Sequence, residues 1–103
     1  MTETSINYAK ALYELSVPEE AVLETEKIFR GTPQLKGALE NPLVSLKEKE
    51  HVIDRVFPQE MKNFLKVTCK YQKISSIYDI LEAYGNYSRK QKGILKAVLT
   101  LSL

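Results

Sequence analysis

The sequence predicts an all-α fold: a six-helix bundle with short connections and an extended C-terminal tail. Three observations carry that prediction. Apolar residues recur at helical spacing from the N-terminus to about residue 90, capping signals and prolines punctuate the pattern at short intervals, and no partnered strand pattern interrupts it. Short turns between helices of this kind favour an antiparallel or orthogonal bundle.

Each element follows from its own residues. Thr4 or Ser5 is read as the cap of a first helix reaching about Ser16, with Ile6, Ala9, Leu12, Tyr13 and Leu15 apolar. Ser16-Val17-Pro18-Glu19 reads as a capping box with proline in the first turn, and the second helix is expected to stop at Gly31 in a left-handed conformation. Thr32-Pro33 restarts the chain as a short third helix through Leu39, and Asn41-Pro42 ends it, because the residue before proline avoids the α region. Ser45-Leu46-Lys47-Glu48 is a second capping box, opening a helix with Val52, Ile53, Val56 and Phe57 on one side. Pro58 separates it from a fifth helix, from about Gln59 to Lys73, whose Met61, Phe64, Leu65 and Thr68 have core spacing. Ser75 or Ser76 is expected to cap a sixth helix through about Lys90, with Ile77, Ile80, Leu81, Tyr84 and Tyr87. Residues 93–103, from Gly93 to Leu103, are apolar and rich in β-branched side chains without a polar face. They read as a tail leading toward a segment absent from the chain, so the domain is placed at residues 1–92.

Composition sets limits on function. The chain has 103 residues, enough for one domain with one core, and 15 Lys plus Arg against 13 Asp plus Glu leave a net charge of +2. That excess is too small for a nucleic-acid footprint. No apolar run approaches the roughly 20 residues that cross a bilayer, so direct membrane insertion is not expected. Cys69 is the only cysteine and His51 the only histidine. A nucleophilic triad or zinc site would need partners that the sequence does not supply, so Cys69 reads as a packed small residue and His51 as a solvated helix residue. The four glycines are scattered and form no phosphate loop. No catalytic residue, cofactor or metal is expected. The densest basic run, Arg89-Lys90-Gln91-Lys92, lies near Tyr84 and Tyr87. It reads as helix-end charge, with a small RNA-binding module of the antitermination-factor type as the alternative.

The first helix carries more apolar surface than one buried stripe needs. Asn7, Lys10 and Glu14 share a narrow polar sector. Ile6, Ala9 and Tyr13 lie to one side of the apolar arc, Tyr8, Ala11 and Leu15 to the other, with Leu12 between them. The arc spans roughly 220°, against about 100° for an ordinary surface helix. Either this helix is central, or one side stays open for a partner. On the fifth helix, Val67 and Tyr71 fall beside the core stripe, next to Asn63 and Lys70. That arrangement suits either a helix-binding groove with a polar rim or a wide core.

Five stretches in order carry a resemblance. Tyr8-Ala9-Lys10-Ala11-Leu12-Tyr13 resembles the opening signature of the δ subunit of F-type ATP synthases, called the oligomycin-sensitivity-conferring protein in mitochondria. Leu39-Glu40-Asn41-Pro42-Leu43-Val44 is similar to the family's turn before its fourth helix, and Asn63-Phe64-Leu65-Lys66-Val67 to the start of its fifth. Ile80-Leu81-Glu82-Ala83-Tyr84 and Gly93-Ile94-Leu95-Lys96-Ala97 resemble its sixth helix and the beginning of its second half. Lys70-Tyr71-Gln72-Lys73-Ile74 departs from the family's usual pattern after helix five.

The resemblance implies a non-catalytic stator subunit whose N-terminal six helices receive the N-terminal helix of an α subunit between helices one and five. Carried over by position, Tyr8, Ala11, Leu12 and Leu15 would line one wall and Asn63, Val67, Lys70 and Tyr71 the other. Tyr8, Ala11 and Val67 both match the motifs and lie outside the main core stripe. The b-type stalk subunits would be reached only through the missing second half. A monomer in isolation is the expectation. So is a place at the cytoplasmic face of a bacterial membrane, as a peripheral part of the complex, since no organellar transit segment precedes the first motif.

Overall fold

The computed structural model describes the backbone of residues 2–101 and the side chains of residues 2–93. Its order is α1 (Glu3–Glu14), α2 (Glu19–Gly31), α3 (Pro33–Glu40), α4 (Leu46–Val56), α5 (Gln59–Lys70), a 3-10 turn (Ile74–Ser76) and α6 (Ile77–Leu101). The expected six helices are present, and among the described residues there is no strand.

Helix α1 lies chiefly along α6, α4 and α5 form an antiparallel-type hairpin across Pro58, and α2 is shared between α3, α5 and α6. The core runs through this arrangement: Leu12, Phe29, Leu39, Ile53, Met61, Leu65, Ile77 and Ile80 are all fully buried. Aromatic contacts tie the layers together. The Phe29 ring lies 4.9 Å from Phe57, and the Tyr78 hydroxyl donates to the Phe29 carbonyl at 3.1 Å. At the other end of α1, Tyr13 meets Tyr87 edge to face at 5.2 Å. Buried hydroxyls are satisfied locally: Thr25 Oγ1 donates to the Ala21 carbonyl and Thr68 Oγ1 to the Phe64 carbonyl, at 2.9 and 2.7 Å.

Several boundaries differ from expectation, each for a physical reason. The cap of α1 is Thr2, whose Oγ1 accepts the Ser5 N–H at 3.1 Å. Ser5 is unavailable as a cap because it is fully buried within the helix. Ser16 does not cap α2. It takes a left-handed conformation (φ 57°) to end α1, its N–H donating to the Tyr13 carbonyl, and α2 starts behind Pro18 without a side-chain cap. Gly31 stays within α2, and no glycine has positive φ among the described residues.

The second left-handed stop falls at Gln72 (φ 58°), so α5 ends at Lys70 rather than Lys73. There the Gln72 and Lys73 N–H groups donate to the Cys69 and Thr68 carbonyls, the paired closure of a Schellman motif. The 3-10 turn then feeds α6 directly, and α6 opens at Ile77, immediately after Ser76 as the sequence leads one to expect. Ser45 behaves as anticipated, its Oγ accepting the Glu48 N–H at 3.1 Å. Val56, expected inside, points outward at the end of α4.

The extended tail is also corrected. Helix α6 continues through Gly93 to Leu101, covering most of residues 93–103. No proline interrupts this stretch, and a single glycine costs a helix only about 1 kcal/mol relative to alanine. Leu95, Lys96, Ala97 and Leu99 are good helix formers and offset that cost.

Candidate functional site

A cleft of about 470 Å³ opens between α1 and α5. Asn7, Tyr8, Ala11 and Leu15 line it from α1; Asn63, Phe64 and Val67 line it from α5. Among the described residues, no charged side chain lines it. The two helices touch through Tyr8 and Phe64, whose rings stand edge to face with centroids 6.3 Å apart. Phe64 is nearly buried, whereas Leu15 and Val67 are 60% and 47% exposed. An apolar trough with open lips of this kind is how a groove for an amphipathic helix is built.

Helical spacing places these groups together. Tyr8, Ala11 and Leu15 follow at i, i+3 and i+7, and Asn63 and Val67 at i, i+4, so each helix presents one stripe. Helix α1 can leave that stripe open because its opposite side, with Ala9 and Leu12, is already buried. The wide apolar arc is thereby divided between core and cleft.

Of the eight residues proposed from sequence, Tyr8, Ala11, Leu15, Asn63 and Val67 come together in this cleft. Leu12 does not reach it. Fully buried, it belongs to the core, since its position between the two apolar sides of α1 faces inward. Lys70 and Tyr71 also lie outside the lining. Both are exposed, and the Lys70 ammonium stands 5.8 Å from the centre of the Tyr71 ring. The lining residues that sequence reasoning missed are Asn7 and Phe64. By spacing Asn7 belongs to the polar sector and Phe64 to the core, yet each sits at the border of its stripe, where one helical step decides the face.

The remaining sequence candidates have structural surroundings. His51 is exposed on α4, beside a cavity of about 560 Å³ whose lining includes Lys47, Glu48, Asp54 and Lys66. Cys69 is buried, and burial pushes its thiol up to about 11. In the basic run, Arg89 donates to Asn86 Oδ1 and Lys92 to Glu19 Oε2, the latter at 2.7 Å. No group of three or more His, Cys, Asp or Glu side chains among the described residues could hold a metal ion. Among those residues, too, no helix is long and apolar enough to cross a membrane.

Comparison with known proteins gives this geometry a lineage. A profile described as ATP synthase delta (OSCP) subunit matches residues 5–102. The chain is 31% identical to ATP synthase subunit delta of Clostridioides difficile (strain 630), an alignment covering 88% of this chain and 57% of that protein. It is 28% identical to the protein of the same name from Prochlorococcus marinus (strain MIT 9301), over 90% of this chain and 58% of that one. A chloroplastic ATP synthase subunit delta from Trieres chinensis is 29% identical over 77% of this chain and 48% of its own length. The chain thus spans about half the length of the curated relatives it matches. No solved structure matches it. The ordered motifs and the nearly complete profile match agree: the chain belongs to the ATP synthase delta (OSCP) subunit family.

Proposed function

We propose that this chain is the non-catalytic, head-binding part of an ATP synthase peripheral stalk, and that its α1–α5 cleft receives the N-terminal amphipathic helix of an α subunit. The observation that carries the reading is the uncharged, largely apolar cleft lined by Tyr8, Ala11, Leu15, Phe64 and Val67. A docked helix would bury its own apolar stripe there, gaining about 25 cal/mol per Å² removed from water, less the cost of ordering. The gain is mechanical in use. Rotation within the catalytic head exerts torque on the surrounding subunits, and the docked helix resists it.

Residues 1–92 supply this docking unit, and residues 93–103 lead toward a second half that engages the b-type stalk. The assembly lies peripherally on the cytoplasmic face of the membrane, and the unit by itself is a monomer. In the basic run, Arg89 and Lys92 pair on the surface with Asn86 and Glu19, and the family match favours the stator reading over the RNA-binding alternative.

Calorimetric titration with a peptide of the α-subunit N-terminus tests the proposal. Saturable binding is expected for the wild-type chain, and Val67→Asp, at an exposed site, weakens it at least tenfold while leaving the helical spectrum unchanged. Equal affinity in the two proteins counts against the cleft.

A further inference from the structure

Two ladders of side chains climb out of the α1–α5 cleft from its floor. On α1 the ladder is Tyr8, Ala11, Glu14; on α5 it is Phe64, Val67, Lys70. Each step of three residues turns about 60° around the helix axis in one sense, so a ladder passes from the packed side of its helix to the open side. Exposure follows that order. Phe64 is buried and Tyr8 half-buried where their rings meet, Ala11 and Val67 are exposed cleft walls, and Glu14 and Lys70 are exposed beyond them. The two rims therefore end in opposite charges, acidic on α1 and basic on α5.

The neighbouring charges do not cancel this polarity. Lys10, one turn before Glu14, is drawn toward α6, its ammonium 5.8 Å from the centre of the Tyr87 ring. On α5, Lys66 pairs with Asp54 at 2.8 Å, and Lys62 donates to Gln59 Oε1 at 3.2 Å. Glu3 adds an exposed carboxylate one turn before Asn7. Among the described residues neither Glu14 nor Lys70 is in an ion pair, and Lys70 faces only the Tyr71 ring. An uncharged floor supplies affinity, whereas charges at a rim fix register and reject wrong partners. Resting on the docking reading above, we propose that the cleft selects an amphipathic helix of one polarity. Its apolar stripe is bordered by a cation on the side toward Glu14 and by a carboxylate on the side toward Lys70, and these two rim residues determine specificity.

The test is calorimetric titration of the α-subunit N-terminal peptide into Glu14→Lys, Lys70→Glu and the double variant. Titrations are run at low salt and at about 1 M salt, where the screening length shrinks to about 3 Å. Each single reversal weakens binding about two- to tenfold at low salt, and the loss disappears at high salt. Val67→Asp, which damages the apolar wall, loses affinity under both conditions. A second peptide, with each Lys or Arg exchanged for Glu and each Asp or Glu for Lys, binds the double variant more tightly than the wild-type chain. The inference is overturned if both single reversals bind the natural peptide as tightly as wild type at low salt, or if either binds it more tightly. It is also overturned if the exchanged peptide does not prefer the double variant. Those outcomes leave the cleft standing, since Val67→Asp still reports on it. Absence of binding to the wild-type chain removes the cleft reading and this inference together. Should a reversal lose the helical spectrum, Glu14→Gln and Lys70→Gln replace it, with a smaller loss of the same salt dependence.

Discussion

Tyr8 and Phe64 meet edge to face at an interplanar angle of 73°, joining α1 to α5 beneath an otherwise open trough. Helix α1 takes most of its support from α6, and this ring pair is a direct aromatic contact between the two cleft walls. Edge-to-face aromatic pairs contribute about 0.5–1.5 kcal/mol beyond the area they bury. A double-mutant cycle of Tyr8→Leu and Phe64→Leu, read by urea unfolding, is therefore expected to show a coupling in that range. A coupling near zero would mean that α6 alone positions α1.

Leu12 and Leu15 separate stability from binding on one helix. Leu12 is fully buried, so Leu12→Ala is expected to cost about 2–5 kcal/mol in chemical denaturation. Leu15 is 60% exposed on the cleft lip, and Leu15→Ala should stay within about 0.5 kcal/mol of wild type. Under the proposed docking, Leu15→Ala nevertheless loses affinity for the α-subunit peptide in calorimetry. Stability loss at both positions would return Leu15 to the core.

This contrast shows how far the sequence was legible. The period of α1 revealed a surplus of apolar surface, but which part of it α6 covers depends on contacts distant in sequence, and Leu12 fell on the buried side. Local chemistry was legible where it is self-contained. Ser45 and Glu48 form their capping contact within one turn, and Pro33 opens α3 because its missing N–H costs nothing there. The stops of α1 and α5 were hidden, since Ser16 and Gln72 take the left-handed conformation usually left to glycine while Gly31 remains helical. Residues beyond Gly93 misled for a related reason. Their β-branched composition suggested extension, whereas continuity with α6 supplies the helix nucleus that an isolated segment would lack.

Those two stops give a direct prediction. A non-glycine residue in the left-handed region carries a penalty of roughly 1–2 kcal/mol, part of which glycine returns through its greater freedom in the unfolded chain. Ser16→Gly and Gln72→Gly are each expected to stabilise the chain by about 0.5–1 kcal/mol in thermal or urea unfolding. Alanine at either position should give no such gain.

Acid sensitivity is expected at Asp54 and Asp79. The Lys66 ammonium, 2.8 Å away, holds the Asp54 carboxyl below its usual range, and the Ser5 hydroxyl with the Thr2 N–H does the same for Asp79. A depressed folded-state value contributes stability above the ordinary aspartate value, about 3.9, and loses it as pH falls through the lowered one. Asp54→Asn and Asp79→Asn should therefore be less stable than wild type at neutral pH and converge with it in acid. Unfolding curves between neutral pH and about pH 2 check this, and a gap that persists in acid would assign the loss to packing.

Cys69 supplies the opposite sign at the alkaline end. Burial under α3 and the 3-10 turn pushes its thiol from 9.0 to about 11, with the nearby Lys49 ammonium opposing the shift. The folded chain thus holds the proton more tightly than the unfolded one. Stability from this group is full below pH 9, declines as pH rises toward 11 and levels off above it. Cys69→Ala is expected to flatten that decline in urea unfolding. The same burial keeps the thiolate scarce and shielded, so alkylation of native protein at neutral pH should require opening of the bundle. Its rate should then rise with urea in step with global unfolding. Rapid stoichiometric labelling in native buffer would show instead that local opening beside α3 and the 3-10 turn exposes the thiol while the core stays folded.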